Sequence, residues 1–119
     1  MAGIAIIGAG VMGETLLSGL LRAGHRPDDL IIAERRPERA AELTERYGVT
    51  VSSNADAAAA ADTVVLVVKP QDMAGVLAEI APNLRSEALV VSLAAGITTS
   101  FLEAGLPAGI AVVRVMPNT

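Results

Sequence analysis

The segment Gly8-Ala9-Gly10-Val11-Met12-Gly13 follows an apolar run over 3–7 and precedes an amphipathic stretch, which sets a G-x-G-x-x-G loop between a strand and a helix. Gly8 allows the sharp turn out of the strand, Gly10 lets a phosphate approach bare backbone, and Gly13 lets the new helix pack closely on the sheet. A pyrophosphate would rest on the N–H groups at the helix N-terminus, where the macrodipole is positive. The alternative is a glycine turn with no ligand, and the flanking strand and helix weigh against it.

The rest of the chain limits what that loop can belong to. A length of 119 residues suffices for one domain with one moderate core. Hydrophobic residues make up 52% and aromatics 2%, so the core must come from Val, Ile, Leu and Ala, which suits parallel strands covered on both faces. A formal charge of -4 disfavours nucleic acid and anionic membranes as partners and leaves a small molecule. There is no cysteine, which excludes disulfides and thiolate metal sites and fits a reducing compartment. No apolar run reaches transmembrane length, and no basic segment followed by a cleavable apolar one opens the chain. The expected location is the cytoplasm.

Hydrophobic period and punctuation predict strands at 3–7, 30–33, 49–51, 63–68, 88–93 and 110–115, alternating with helices at about 11–23, 37–48, 57–61, 72–80 and 98–104. This is the pattern of an α/β Rossmann-type, doubly wound parallel sheet of six strands with helices on both faces, in the order 3-2-1-4-5-6. One domain, 1–119, is expected. Ligands of such sheets bind beyond the carboxyl ends of the strands, and the unusual loops of this chain all follow strand ends.

Glu34 lies about 20 residues beyond Gly13, where an acidic side chain bonds the adenosine ribose of NAD. Arg35 follows at once and suits the 2′-phosphate of NADP, with Glu34 turned outward; Arg36 and Arg39 read as the solvated start of a helix. Lys69 is either a cofactor contact or a solvated strand end, and Pro70 ends the ladder. Ala94, Ala95 and Gly96 are small enough for a flat ring to approach, or simply make a tight turn. Asn54 and Asn118 could each bond a ligand or cap a helix. Met12 and Met116 read as space-fillers near the site. His25 has no catalytic partner nearby in sequence, no metal-ligand spacing occurs, and no general acid or base stands out.

Taken together, Ile6-Ile7-Gly8-Ala9-Gly10-Val11-Met12-Gly13, Val68-Lys69-Pro70, Ser92-Leu93-Ala94-Ala95-Gly96-Ile97 and Val113-Arg114-Val115-Met116-Pro117-Asn118-Thr119 resemble the pyrroline-5-carboxylate reductases in order and spacing. The resemblance covers the N-terminal half of that family. It implies reduction of 1-pyrroline-5-carboxylate to L-proline with NADPH, or with NADH, in proline biosynthesis. It also implies that Ile7, Gly8, Ala9, Gly10, Val11 and Met12 meet the pyrophosphate and Asn54 the adenosine ribose. Val68, Lys69, Pro70, Ala94, Ala95 and Gly96 would line the cofactor, and Asn118 would lie near the nicotinamide and substrate. Family members continue past the motif matching 116–119 into a helical domain that makes the homo-oligomer and supplies substrate-binding and proton-donating residues. These 119 residues lack it, so nucleotide binding with little turnover and an exposed apolar surface are expected. A dehydrogenase of another substrate class and a non-enzymatic dinucleotide sensor are the competing readings.

Overall fold

The computed structural model describes residues 2–8 and 10–115. Strands β1 (Ala2–Ile7), β2 (Leu30–Ala33), β3 (Thr50–Ser52), β4 (Ala61–Leu66), β5 (Leu89–Ser92) and β6 (Ala111–Arg114) form one sheet in the order β3-β2-β1-β4-β5-β6. All five pairings are parallel, as the alternation of strand and helix predicts. Helices α1 (Val11–Arg22), α2 (Pro37–Tyr47), α3 (Asn54–Ala60), α4 (Met73–Ile80) and α5 (Thr99–Ala104) make the connections.

The sheet separates two cores. Ile6, Ile32 and Leu30 point to one face, where Leu17 of α1 and Leu43 of α2 cover them. Ala5, Ile7, Val64, Leu66 and Val90 point to the other, against Ala57 and Ala58 of α3, Leu77 and Ile80 of α4, and Leu102 of α5. This is why the strands read as unbroken apolar runs rather than alternating ones. Each fully buried Leu or Ile contributes about 1.5–3 kcal/mol. The small alanines of α3 let it sit close to the sheet as the chain changes face between β3 and β4.

Coverage thins toward β6, the edge strand. Val113, paired with Val91, is 45% exposed, and Val115 just beyond the strand is 43% exposed.

Most boundaries shift by a residue or so from the sequence reading, α3 begins three residues earlier, and one strand shift bears on the site. The fourth strand occupies Ala61–Leu66 rather than 63–68, because its neighbours end together: Leu66 pairs with Ile7 on one side and Ser92 on the other. Val67 still bonds back to the Ile7 carbonyl, at 2.9 Å, and Val68 leaves the ladder. That early exit moves Val68 from the sheet into the site.

Candidate functional site

The carboxyl ends of β1, β2, β4 and β5 meet around the glycine loop. Gly8 has φ +108°, and a Cβ there would stand 2.6 Å from the Val67 carbonyl oxygen. At Gly13 a Cβ would stand 2.0 Å from the Gly8 carbonyl oxygen, so the first turn of α1 is pressed against the end of β1. Gly10 differs from both. Its φ of -72° suits any residue, and a Cβ there would meet nothing within 4 Å. Gly10 faces open space at the N-cap of α1, and no side chain caps that helix. The N-termini of α3 and α5, by contrast, are capped by Ser53 and Thr98. The uncapped turn of α1 therefore presents its N–H groups to the cleft. Ala9 lies outside the described residues.

Two clefts flank this loop. The first, of about 290 Å³, is bounded by Ile7, Gly8, Ala33, Glu34, Arg35, Arg36, Asn54 and Val68, with Asp72 and Val76 on its far wall. The second, of about 460 Å³, is bounded by Gly10, Val11, Met12, Gly13, Val67, Val68, Lys69 and Pro70, with Leu93, Ala94 and Ala95 opposite. Val68 belongs to both.

On the first side Glu34 is turned inward. Its carboxylate, with only 9% of the side chain exposed, accepts from the backbone N–H and the Nε of Arg36, each at 3.0 Å. Arg36 is thus a partner for Glu34 rather than a merely solvated helix start. Arg39 is corrected further: it is largely enclosed, with 17% of its side chain exposed. Arg35 is exposed and lies 3.6 Å from Glu79 of α4. Asn54 is not a cap, since Ser53 Oγ accepts from the Asp56 N–H and performs that task. The Asn54 side chain is instead buried at the cleft wall, donating to Glu79 Oε1 at 3.4 Å.

On the second side Lys69 and Pro70 are exposed at the rim, and Lys69 forms no ion pair among the described residues. Ala94 is buried, its N–H donating to the hydroxyl of buried Ser92 at 3.2 Å, so Ser92 fixes the small-residue wall. Gly96 bounds neither cleft; its φ of +77° marks it as the residue that makes the turn. Met12, expected to fill space, is 49% exposed, and Val11 is 87% exposed. Asn118 and Met116 fall outside the described residues.

The sequence reading missed Glu14. Its carboxylate accepts from Arg39 at 2.6 Å, Arg46 at 2.7 Å and the Tyr47 hydroxyl at 2.5 Å, tying α1 to α2. The Tyr47 bond foremost, then Arg39, lowers its pKa from 4.5 to about 2. The spacing of Arg39, Arg46 and Tyr47 along one face of α2 is a local sign that a carboxylate sits opposite. Among the described residues no cluster of His, Cys, Asp and Glu could hold a metal ion, and no helix is long and apolar enough to cross a membrane.

Comparison with known proteins adds to this geometry. A family model described as "NADP oxidoreductase coenzyme F420-dependent" matches residues 3–96. Pyrroline-5-carboxylate reductase of Mycobacterium tuberculosis is 51% identical over 124 residues, covering 99% of this chain and 42% of that protein. Among solved structures, a pyrroline-5-carboxylate reductase from Coxiella burnetii superposes with a TM-score of 0.92 at 35% identity, over 99% of this chain and 44% of that one. The Plasmodium falciparum pyrroline carboxylate reductase with NADP bound gives a TM-score of 0.80 at 27% identity, over 98% and 42%. The chain thus spans less than half the length of each of these relatives.

Proposed function

Because the chain belongs to the family described as NADP oxidoreductase coenzyme F420-dependent, we propose that it is the dinucleotide-binding part of a pyrroline-5-carboxylate reductase. It would take up NADPH, or NADH, for the reduction of 1-pyrroline-5-carboxylate to L-proline. The observation that carries this reading is the meeting of two unlike clefts at an uncapped helix start, with Val68 between them. A dinucleotide has the matching form: two dissimilar ends joined by a pyrophosphate.

In this assignment the N–H groups of 10–13 hold the pyrophosphate, and the open position at Gly10 admits it without a steric cost. Glu34, Arg35 and Asn54 face the adenosine ribose. Val68, Lys69, Pro70, Ala94 and Ala95 enclose the nicotinamide, Gly96 shapes their turn, and Asn118 completes that end. The cofactor, when bound, supplies a hydride to the imine carbon. The chain's share is to orient the ring and keep one face of it dry. The substrate walls, the proton donor and the homo-oligomer contacts belong to the helical domain that the family adds, with exposed Val113 and Val115 suited to lie beneath it. A cytoplasmic location accords with this chemistry.

Titration of the purified 119 residues with NADPH and with NADH, followed by nicotinamide fluorescence and calorimetry, tests the reading. Saturable one-to-one binding of at least one of them, without proline formation at enzymatic rates when 1-pyrroline-5-carboxylate is added, is the expected result. Absence of binding by both would overturn it.

A further inference from the structure

We propose that Glu79, on the last turn of α4, sets the preference between NADPH and NADH by competing with the 2′-phosphate for Arg35. This inference rests on the dinucleotide reading above and concerns the adenosine-side cleft. A single oxygen, Glu79 Oε1, lies 3.6 Å from Arg35 Nη2 and 3.4 Å from Asn54 Nδ2. Glu79 therefore reaches from α4 to the loop after β2 and to the start of α3. It stands one helical turn beyond Val76, which lines the cleft.

The charges at this end form two couples. Arg36 holds Glu34, and Glu79 holds Arg35, so neither guanidinium is committed to a ligand nor free of an acidic neighbour. The couples differ in tightness. Arg36 meets Glu34 at 3.0 Å through two donors, one of them backbone, whereas the Arg35–Glu79 contact is long, single and exposed, with side-chain exposures of 77% and 46%. An exposed contact of that length is weak and readily exchanged. A 2′-phosphate, with close to two negative charges and three acceptor oxygens, would draw Arg35 away from Glu79 and would itself be repelled by the carboxylate left behind. A 2′-hydroxyl does neither. Glu79 thus weakens NADPH selectively, and its bond to buried Asn54 holds it where it can do so.

The variant Glu79→Gln removes the charge and keeps an amide oxygen for Asn54. The test is the ratio of the NADH Kd to the NADPH Kd, measured for the parent, Glu79→Gln, Arg35→Ala and the double variant, with thermal melts confirming that each folds. Glu79→Gln should raise the ratio about three- to tenfold at low salt, less at 0.5 M salt, and the rise should be clearly smaller when Arg35 is Ala, leaving only the direct repulsion. An unchanged or lowered ratio, or a rise of equal size without Arg35, would refute the competition. Failure of the parent to bind either dinucleotide would instead refute the dinucleotide reading itself.

Discussion

The two clefts on either side of Val68 are lined by different chemistry. The first, proposed for the adenosine end, is ringed by Glu34, Arg35, Arg36, Asn54 and Asp72, and its character comes from how those charges pair. The second, proposed for the nicotinamide end, is ringed by Val11, Met12, Val67, Leu93, Ala94 and Ala95, and its character comes from shape, with Lys69 as the one cation among the described residues lining it. Charge can be retuned by a single substitution without moving the backbone, whereas shape is tied to packing beneath it. In the proposed assignment the first cleft is therefore where cofactor preference can vary, and the second is where the hydride donor would be held to one pose.

The sharpest way to break this pairing is to attack the loop common to both. Gly13→Ala drives a methyl group into the Gly8 carbonyl oxygen, a backbone atom with no room to yield, and should destabilise the fold by about 3 kcal/mol, read from the urea midpoint. Gly10→Ala offers the opposite result. Its Cβ enters open space at an ordinary φ, so stability should stay within about 0.5 kcal/mol of the parent. Binding of NADPH and NADH should both fall at least about tenfold, or about 1.4 kcal/mol, because the pyrophosphate loses its approach.

A smaller effect separates the clefts. Ala95→Leu, at an exposed position lining only the nicotinamide side, should weaken NADPH about fivefold while leaving 2′,5′-ADP within twofold of the parent, as calorimetry would show. Equal losses for both ligands would mean that the clefts are not separable. The gentlest perturbation is acid. Glu14 titrates near 4.5 when unfolded and about 2 when folded, so its stabilising contribution is complete above pH 4.5 and is lost as the pH falls toward 2. Glu14→Gln should flatten that part of the stability profile, measured by thermal melts between pH 5 and 2, and should loosen α1 from α2.

Sequence alone made the sheet order legible because most of the strands are rich in aliphatic residues and every connection is long enough for one helix. The glycine loop was legible for the same local reason. What could not be read were contacts joined by the fold rather than by spacing. Arg36 reads as a solvated helix start, yet it folds back onto Glu34, two residues before it. Asn54 reads as one of several capping candidates until Ser53 takes the cap and leaves its amide for the cleft. Glu14 and Glu79 carry no motif, and their partners lie at least 25 residues away along the chain. The fourth strand was misplaced by two residues because its end is set by where β1 and β5 stop, which no property of the strand itself records.

The contact between Gly13 and the Gly8 carbonyl has a kinetic consequence. Helix α1 packs so closely on the end of β1 that no Cβ fits at Gly13, so the turn proposed to face the phosphate has little room to tighten around a guest. If the loop binds as proposed, such a socket needs no prior rearrangement, and the observed association rate should rise linearly with dinucleotide concentration, with no plateau from a slow closing step.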